Sequence, residues 1–214
     1  MFFLICLTVL QLLKSSYADT PDQSRVAQSF KNHPIVPKIV LNPPSAFISV
    51  AYLDVTIDLG TVVFPVQTLG QPQNVSYEAD PEKLYTFVFI GPDLPPSVVV
   101  PLTQLVHWLV VNVPGNEIAK GCEMAPYFPP TPYPDGFPYI FLLYEQNEAL
   151  NTTQIPNMSS ILSRPNFSVD KFATEHNLKG PIAGNFMHES YLEAVSQVAK
   201  TVSNTVDSVL NILG

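Results

Sequence analysis

YTFVFIGPDLPP at residues 85–96, HWLVVNVPGNE at 107–117 and YIFLLYEQN at 139–147 together decide the fold. Each is an apolar run of Val, Phe, Ile, Leu and Tyr that gives way to Pro, Gly or Asn. Runs of this length are too short for free-standing helices and fit buried strands. TFVFI (86–90) and WLVVNV (108–113) are apolar throughout, which places them in central strands covered on both faces. Asp93, His107, Asn112 and Tyr139 interrupt the runs and are expected at strand ends or on loops, where ligand pockets are built.

Outward from these runs, ISVAYLDVTIDLGTVVFPVQTL (48–69) alternates as strands with one face buried and one wet, turning near Asp58-Leu59-Gly60. Gly115-Asn116 closes another turn. Residues 125–138 hold six prolines in fourteen positions and are expected to form an ordered, irregular loop, because Pro cannot donate to a ladder. Residues 170–177 read as a short helix with Ser168 as N-cap. Residues 19–32 are polar and read as a loosely held lead-in. At the far end, Leu192, Val195, Ala199, Val202, Val206, Val209 and Leu213 recur at spacings of three and four, an a/d stripe. That stripe fits a helix packed on its own domain, with a coiled-coil partner as the second possibility. Its many Val and Thr residues lower helix propensity, so it needs contacts to persist.

The first eighteen residues read as a signal peptide: an apolar run from Phe2 to Leu13, then small residues at Ser16 and Ala18 before the expected cleavage. A dozen apolar residues fall short of the ~20 that span a bilayer. Four N-x-S/T triplets, at Asn74, Asn151, Asn157 and Asn166, are candidate glycosylation sites. Three of them lie in a polar stretch (151–168) with no helix or strand period. Loss of Cys6 with the leader leaves Cys122 alone, so no intrachain disulfide can form and the core carries stability unaided. Cys122 is a buried small hydrophobe, a reactive thiol or an intermolecular bridge. Loss of Lys14 leaves nine Lys+Arg against eighteen Asp+Glu, a net charge near −9. With no basic cluster, that charge argues against nucleic acid and against docking on anionic membranes.

In order and content, these segments resemble the phosphatidylethanolamine-binding protein family. Its signatures are D-P-D-x-P, then H-W/F-x-V-x-N-x-P-G, then G-x-H-R-Y-x-F-L-x-Y-x-Q. They stand here as Gly91-Pro92-Asp93-Leu94-Pro95, as HWLVVNVPG from His107, and as DGFPYIFLLYEQ from Asp135. Further similarity lies in VSYEADPEKLYTF (75–87) and FSVDKFATEHNLKGPIAGNFMHESY (167–191), so the resemblance covers roughly residues 34–200. It implies a mainly β fold, a two-sheet antiparallel β-sandwich with a few short helices and a C-terminal helix. The expected organisation is leader 1–18, one domain over 19–200, and a helical extension over 201–214.

The resemblance also implies an anion pocket beside a cis-proline turn, and the carry-over is mixed. The first Asp of D-P-D corresponds to Gly91, the second histidine to Phe137 and its Arg to Pro138, while Asp93, Pro95, His107 and Tyr139 are kept. Leu105 stands where relatives often carry an aromatic. Proline replaces the glycine loop that supplies N–H donors. An anion leaving water needs charge-assisted donors, so this pocket is expected to be apolar with one polar pole at His107 and Tyr139, and weak toward phosphate. His107 is either a donor at the pocket wall or a structural histidine bonded to Asp93 or a carbonyl. Gly91→Asp with Phe137→His is expected to restore anion affinity.

No catalytic constellation is visible. His33, His107, His176 and His188 are scattered without metal-ligand spacing, and there is no G-x-S-x-G, P-loop or G-x-G-x-x-G. The expected function is non-enzymatic, without cofactor: a secreted carrier of a small apolar or amphipathic, lipid-like ligand. The alternative is an extracellular interaction protein, such as a protease inhibitor or signalling regulator.

Overall fold

The computed structural model describes residues 23–92, 104–130, 137–192, 195–196 and 199–203. Among these residues ten strands form two sheets: β1 (Ala46–Phe47), β2 (Ser49–Ala51), β3 (Thr56–Ile57), β4 (Thr61–Val63), β5 (Asn74–Ser76), β6 (Leu84–Pro92), β7 (Gln104–Pro114), β8 (Cys122–Ala125), β9 (Pro138–Gln146) and β10 (Lys179–Glu189). The three founding runs become β6, β7 and β9, side by side. The large sheet has the order β1-β10-β9-β6-β7-β8, with β4 also on β10, and the small sheet the order β3-β2-β5. Seven consecutive residues of β6 and of β9 are buried, as apolar runs without a polar face require.

Side-chain alternation gives the large sheet two cores. Val88, Ile90, Val106, Leu109 and Ile140 point into one, and Phe87, Phe89, Trp108, Tyr139 and Phe141 into the other, under the small sheet. Both sheets are mainly antiparallel, as expected. The alternating segment departs from that pattern: β1 and β4 join β10 in parallel, each over only two or three residues. The turn at Asp58-Leu59-Gly60 forms, with Leu59 and Gly60 both at positive φ. Glycine tolerates that conformation without a Cβ penalty.

The lead-in is a correction. Residues Gln23–Asn32 form a helix, α1, whose Val26 and Phe30 are 1% and 0% exposed in the first core. Two apolar residues one turn apart suffice to dock a polar helix, since each fully buried side chain contributes roughly 1.5–3 kcal/mol. The short helix α2 (Val169–Glu175) starts at Ser168, whose hydroxyl accepts from the Lys171 N–H at 3.3 Å, and buries Val169, Phe172 and Ala173. The terminal stripe begins as helix at 191–192, 195–196 and 199–203, yet Leu192, Val195 and Val202 face solvent rather than the domain. The leader, and the extension beyond residue 203, lie outside the described residues.

Candidate functional site

The site is built where β6 ends and β7 begins. Phe89 pairs with Trp108 and Ile90 with Val106, so His107 is the extra residue of a β-bulge. Bulges re-aim side chains, and this one turns the His107 ring toward Phe89 and Tyr139, each with its centroid 5.3 Å away. His107 clasps the Pro-rich segment twice. Its carbonyl accepts from the Phe128 N–H at 2.7 Å, and its Nδ1 lies 3.0 Å from the Phe128 carbonyl. A carbonyl only accepts, so Nδ1 carries the proton and Nε2 is left as a bare lone pair. Nε2 is buried with no hydrogen-bond partner. Burial, with the Arg164 charge adding to it, lowers the imidazole pKa to about 4. The ring is therefore neutral at physiological pH and offers an acceptor where an anion needs a donor.

Gly91 sits between this ring cluster and an apolar cavity. A Cβ there would lie 2.5 Å from the Tyr139 ring and 2.8 Å from His107 Nε2, so Tyr139 already occupies the space of a side chain. On the other side, a cavity of about 160 Å³ is walled by Ile39, Ile90, Gly91, Pro92, Phe137 and Ile140, with Pro34 and Lys38 at an exposed edge. Gln104 also reaches the wall, but its amide is engaged: Nε2 donates to the Ile39 carbonyl at 2.7 Å, and Oε1 accepts from the Val169 N–H at 2.8 Å. The two positions where an acid and a histidine would make an anion site thus contribute a hydrogen and a phenyl ring to a greasy wall.

The expected site residues divide. Phe137 lines the cavity; His107 (1% exposed) and Tyr139 (0%) lie in the ring cluster. Leu105 is half-buried, in register with Gly91. Asp93 and Pro95 lie outside the described residues. Tyr139, the second residue of β9, sits at a strand end as expected, whereas His107 lies inside β7 at the bulge rather than on a loop. Asn112 also departs from its expected role. Its side chain bonds the Leu150 N–H and carbonyl and the Gln146 amide at 2.7–3.0 Å, a network that supports structure. Gly91→Asp has no room as the strands stand, so it does not rebuild an anion site by simple replacement.

Other residues at the site were not legible beforehand. Arg164, 3% exposed, donates to the carbonyls of Met158, Val106, His107 and Pro126 at 2.7–3.4 Å and ties the 151–168 segment to the bulge. Nothing in a polar stretch without period distinguishes this arginine from a surface one. Glu189, 0% exposed, accepts from Thr68 Oγ1 at 2.9 Å through one oxygen, while the other has no partner. Burial raises its pKa to about 7. Beside it the Tyr127 hydroxyl donates to the Thr68 carbonyl at 2.7 Å and meets the Tyr52 hydroxyl at 3.3 Å. His33 and His188, scattered in sequence, stand 5.6 Å apart beside Phe186. Cys122 is exposed on β8, which removes the buried-hydrophobe reading. Asn74, Asn151, Asn157 and Asn166 are all exposed. Among the described residues, no helix is long and apolar enough to cross a membrane.

Three comparisons bear on this geometry. The sequence profile described as phosphatidylethanolamine-binding protein matches residues 49–187. A 26 kDa secreted antigen of Toxocara canis is 38% identical over 71% of this chain and 59% of its own length, so the chain spans less than two thirds of that relative. An odorant-binding protein A5 of Drosophila melanogaster, so named provisionally, is 33% identical over 85% of this chain and 88% of that one. The crystal structure of carboxypeptidase Y inhibitor, complexed with its cognate proteinase, superposes with a TM-score of 0.65 at 20% identity. It covers 82% of this chain and 98% of that one, a likeness of fold.

Proposed function

This chain belongs to the phosphatidylethanolamine-binding protein family, and from that premise we propose that it is a secreted, non-enzymatic carrier of a small apolar or amphipathic ligand, with a weakened capacity for phosphate-type anions. The observation that carries the reading is the cavity of about 160 Å³ whose wall includes Gly91 and Phe137. An engineered cavity of about 150 Å³ stays dry and takes a benzene-sized molecule, which sets the scale of the buried part. A longer chain would leave past Pro34 and Lys38. On the ring side, burying an anion against neutral His107 would go uncompensated.

Extracellular location is supported by the 1–18 leader pattern, by four exposed sequons, and by a relative that is itself a secreted antigen. Expressed in eukaryotic cells, the protein is expected in the medium starting at Asp19, losing mass on deglycosylation. Retention in the cytosol with Met1 intact overturns the location.

Calorimetry with a short-chain fatty acid and with phosphorylethanolamine tests the ligand. The fatty acid should bind and the phosphate compound should not, and the reverse pattern sinks the reading. Binding of neither, with an empty cavity in native mass spectrometry of secreted material, favours the competing role of an extracellular interaction protein, such as a protease inhibitor or signalling regulator.

A further inference from the structure

The apolar cavity leaves a ligand few polar groups to meet. Pro34, Pro92 and Pro138 in its wall carry no backbone N–H. The Gln104 amide is engaged at both ends, by the Ile39 carbonyl and the Val169 N–H. Lys38 is then the lining residue whose side-chain polar group has no partner among the described residues. The turn that carries Lys38 holds it at the rim. Ile35 and Val40 are each 0% exposed, and the Ile35 carbonyl accepts from the Ile39 N–H at 2.7 Å and from the Val40 N–H at 3.2 Å. Gln104 fixes the Ile39 carbonyl at 2.7 Å, so the backbone is anchored while the Lys38 side chain stays exposed.

Charge then decides which head group suits the mouth. Arg25, Lys83, Lys120, Lys171 and Lys179 each pair with an Asp or Glu, whereas Lys38 forms no ion pair with a described residue. An ammonium offers three donors and no acceptor, so it attracts an anionic head and repels a cationic one. Because Lys38 is exposed, an anion beside it keeps much of its water and escapes the desolvation that opposes an anion buried at His107. A carboxylate matches the single positive charge. A phosphate monoester carries nearly two negative charges at neutral pH, which one exposed ammonium leaves partly uncompensated. The volume of about 160 Å³ sets the tail, since a cavity of that scale takes a benzene-sized body of about six carbons.

We propose that the cavity takes a monocarboxylate head-outward, its apolar tail against Ile39, Phe137 and Ile140 and its carboxylate on the Lys38 ammonium. The assignment rests on the carrier reading of the cavity and adds the sign of charge at its mouth. Calorimetry of the full chain with hexanoate, hexan-1-ol and hexylamine tests it, at ionic strengths of about 0.01 M and about 1 M, where charges are screened beyond about 30 and 3 Å. Hexanoate should bind tightest and hexylamine weakest at low salt, with the gap closing at high salt. Lys38→Met should weaken hexanoate about threefold, the scale of an exposed ion pair, and leave hexan-1-ol unchanged. Lys38→Arg should keep the preference, and Lys38→Glu should turn it toward hexylamine. The side chain is exposed, so none of these changes should disturb folding. A parent chain that does not favour hexanoate, or a preference that survives Lys38→Glu, overturns the role of Lys38; the cavity reading survives if Ile140→Phe still abolishes binding. Failure of all three compounds to bind the parent overturns both.

Discussion

At the residue scale, two buried titratable groups pull stability in opposite directions with pH. His107 has its pKa depressed from 6.5 to about 4, so stability is fullest above 6.5 and declines as pH falls toward 4. Glu189 has its pKa raised from 4.5 to about 7, so its contribution is fullest below 4.5 and is lost as pH rises toward 7. Over the shared window the two slopes offset each other. Glu189→Gln removes one of them. Relative to the parent, that variant is expected to gain about 3 kcal/mol between pH 4.5 and 7, because each tenfold change in proton affinity is worth roughly 1.4 kcal/mol. Urea denaturation at each pH reads it, and a difference independent of pH shows that Glu189 does not titrate in this way. Gly91→Asp is expected to destabilise by roughly 1–3 kcal/mol through overpacking against Tyr139, without a gain in phosphate affinity. Tight phosphate binding by a stably folded variant would contradict the closed geometry.

At the scale of elements, the site depends on clasps between pieces distant in sequence. Arg164 joins the 151–168 segment to the His107 bulge and to Pro126 through four backbone carbonyls. Arg164→Leu leaves those acceptors buried without the charged donor, and hydrogen bonds to charged groups are worth about 1.5–3 kcal/mol each. A loss of about 3 kcal/mol or more is expected on that basis, with faster proteolytic cutting between Asn147 and Phe167. Unchanged protease sensitivity would mean that the segment is held by other contacts. Gln104 plays the same part at the cavity, linking Ile39 to the start of α2. Gln104→Ala is expected to loosen the cavity wall and weaken ligand binding more than it lowers the melting temperature.

At the scale of the molecule, filling the cavity should separate binding from folding. Ile140 lies 1% exposed on the wall, and Ile140→Phe places a ring in space that is empty of protein. The variant is expected to stay folded and to lose the stabilisation that a ligand confers, about 2.7 kcal/mol at a hundredfold excess over Kd. A melting shift with ligand as large as the parent's would place the ligand elsewhere. The amino-acid sequence alone determined the strand runs β6, β7 and β9, the turns at Gly60 and Gly115, and the capped helix α2. Those features follow from local periodicity and from residues with restricted backbone choices. Tertiary structure alone decided that the polar lead-in docks through Val26 and Phe30, that β1 and β4 run parallel to β10, and that Leu192, Val195 and Val202 face solvent. It also decided that Tyr139 fills the space beside Gly91, that His107 is a neutral clasp, and that Arg164 and Glu189 are buried. The reason is physical: periodicity reports which face of an element is apolar, while the partner that covers the face, and the water removed from a charge, depend on segments dozens of residues away.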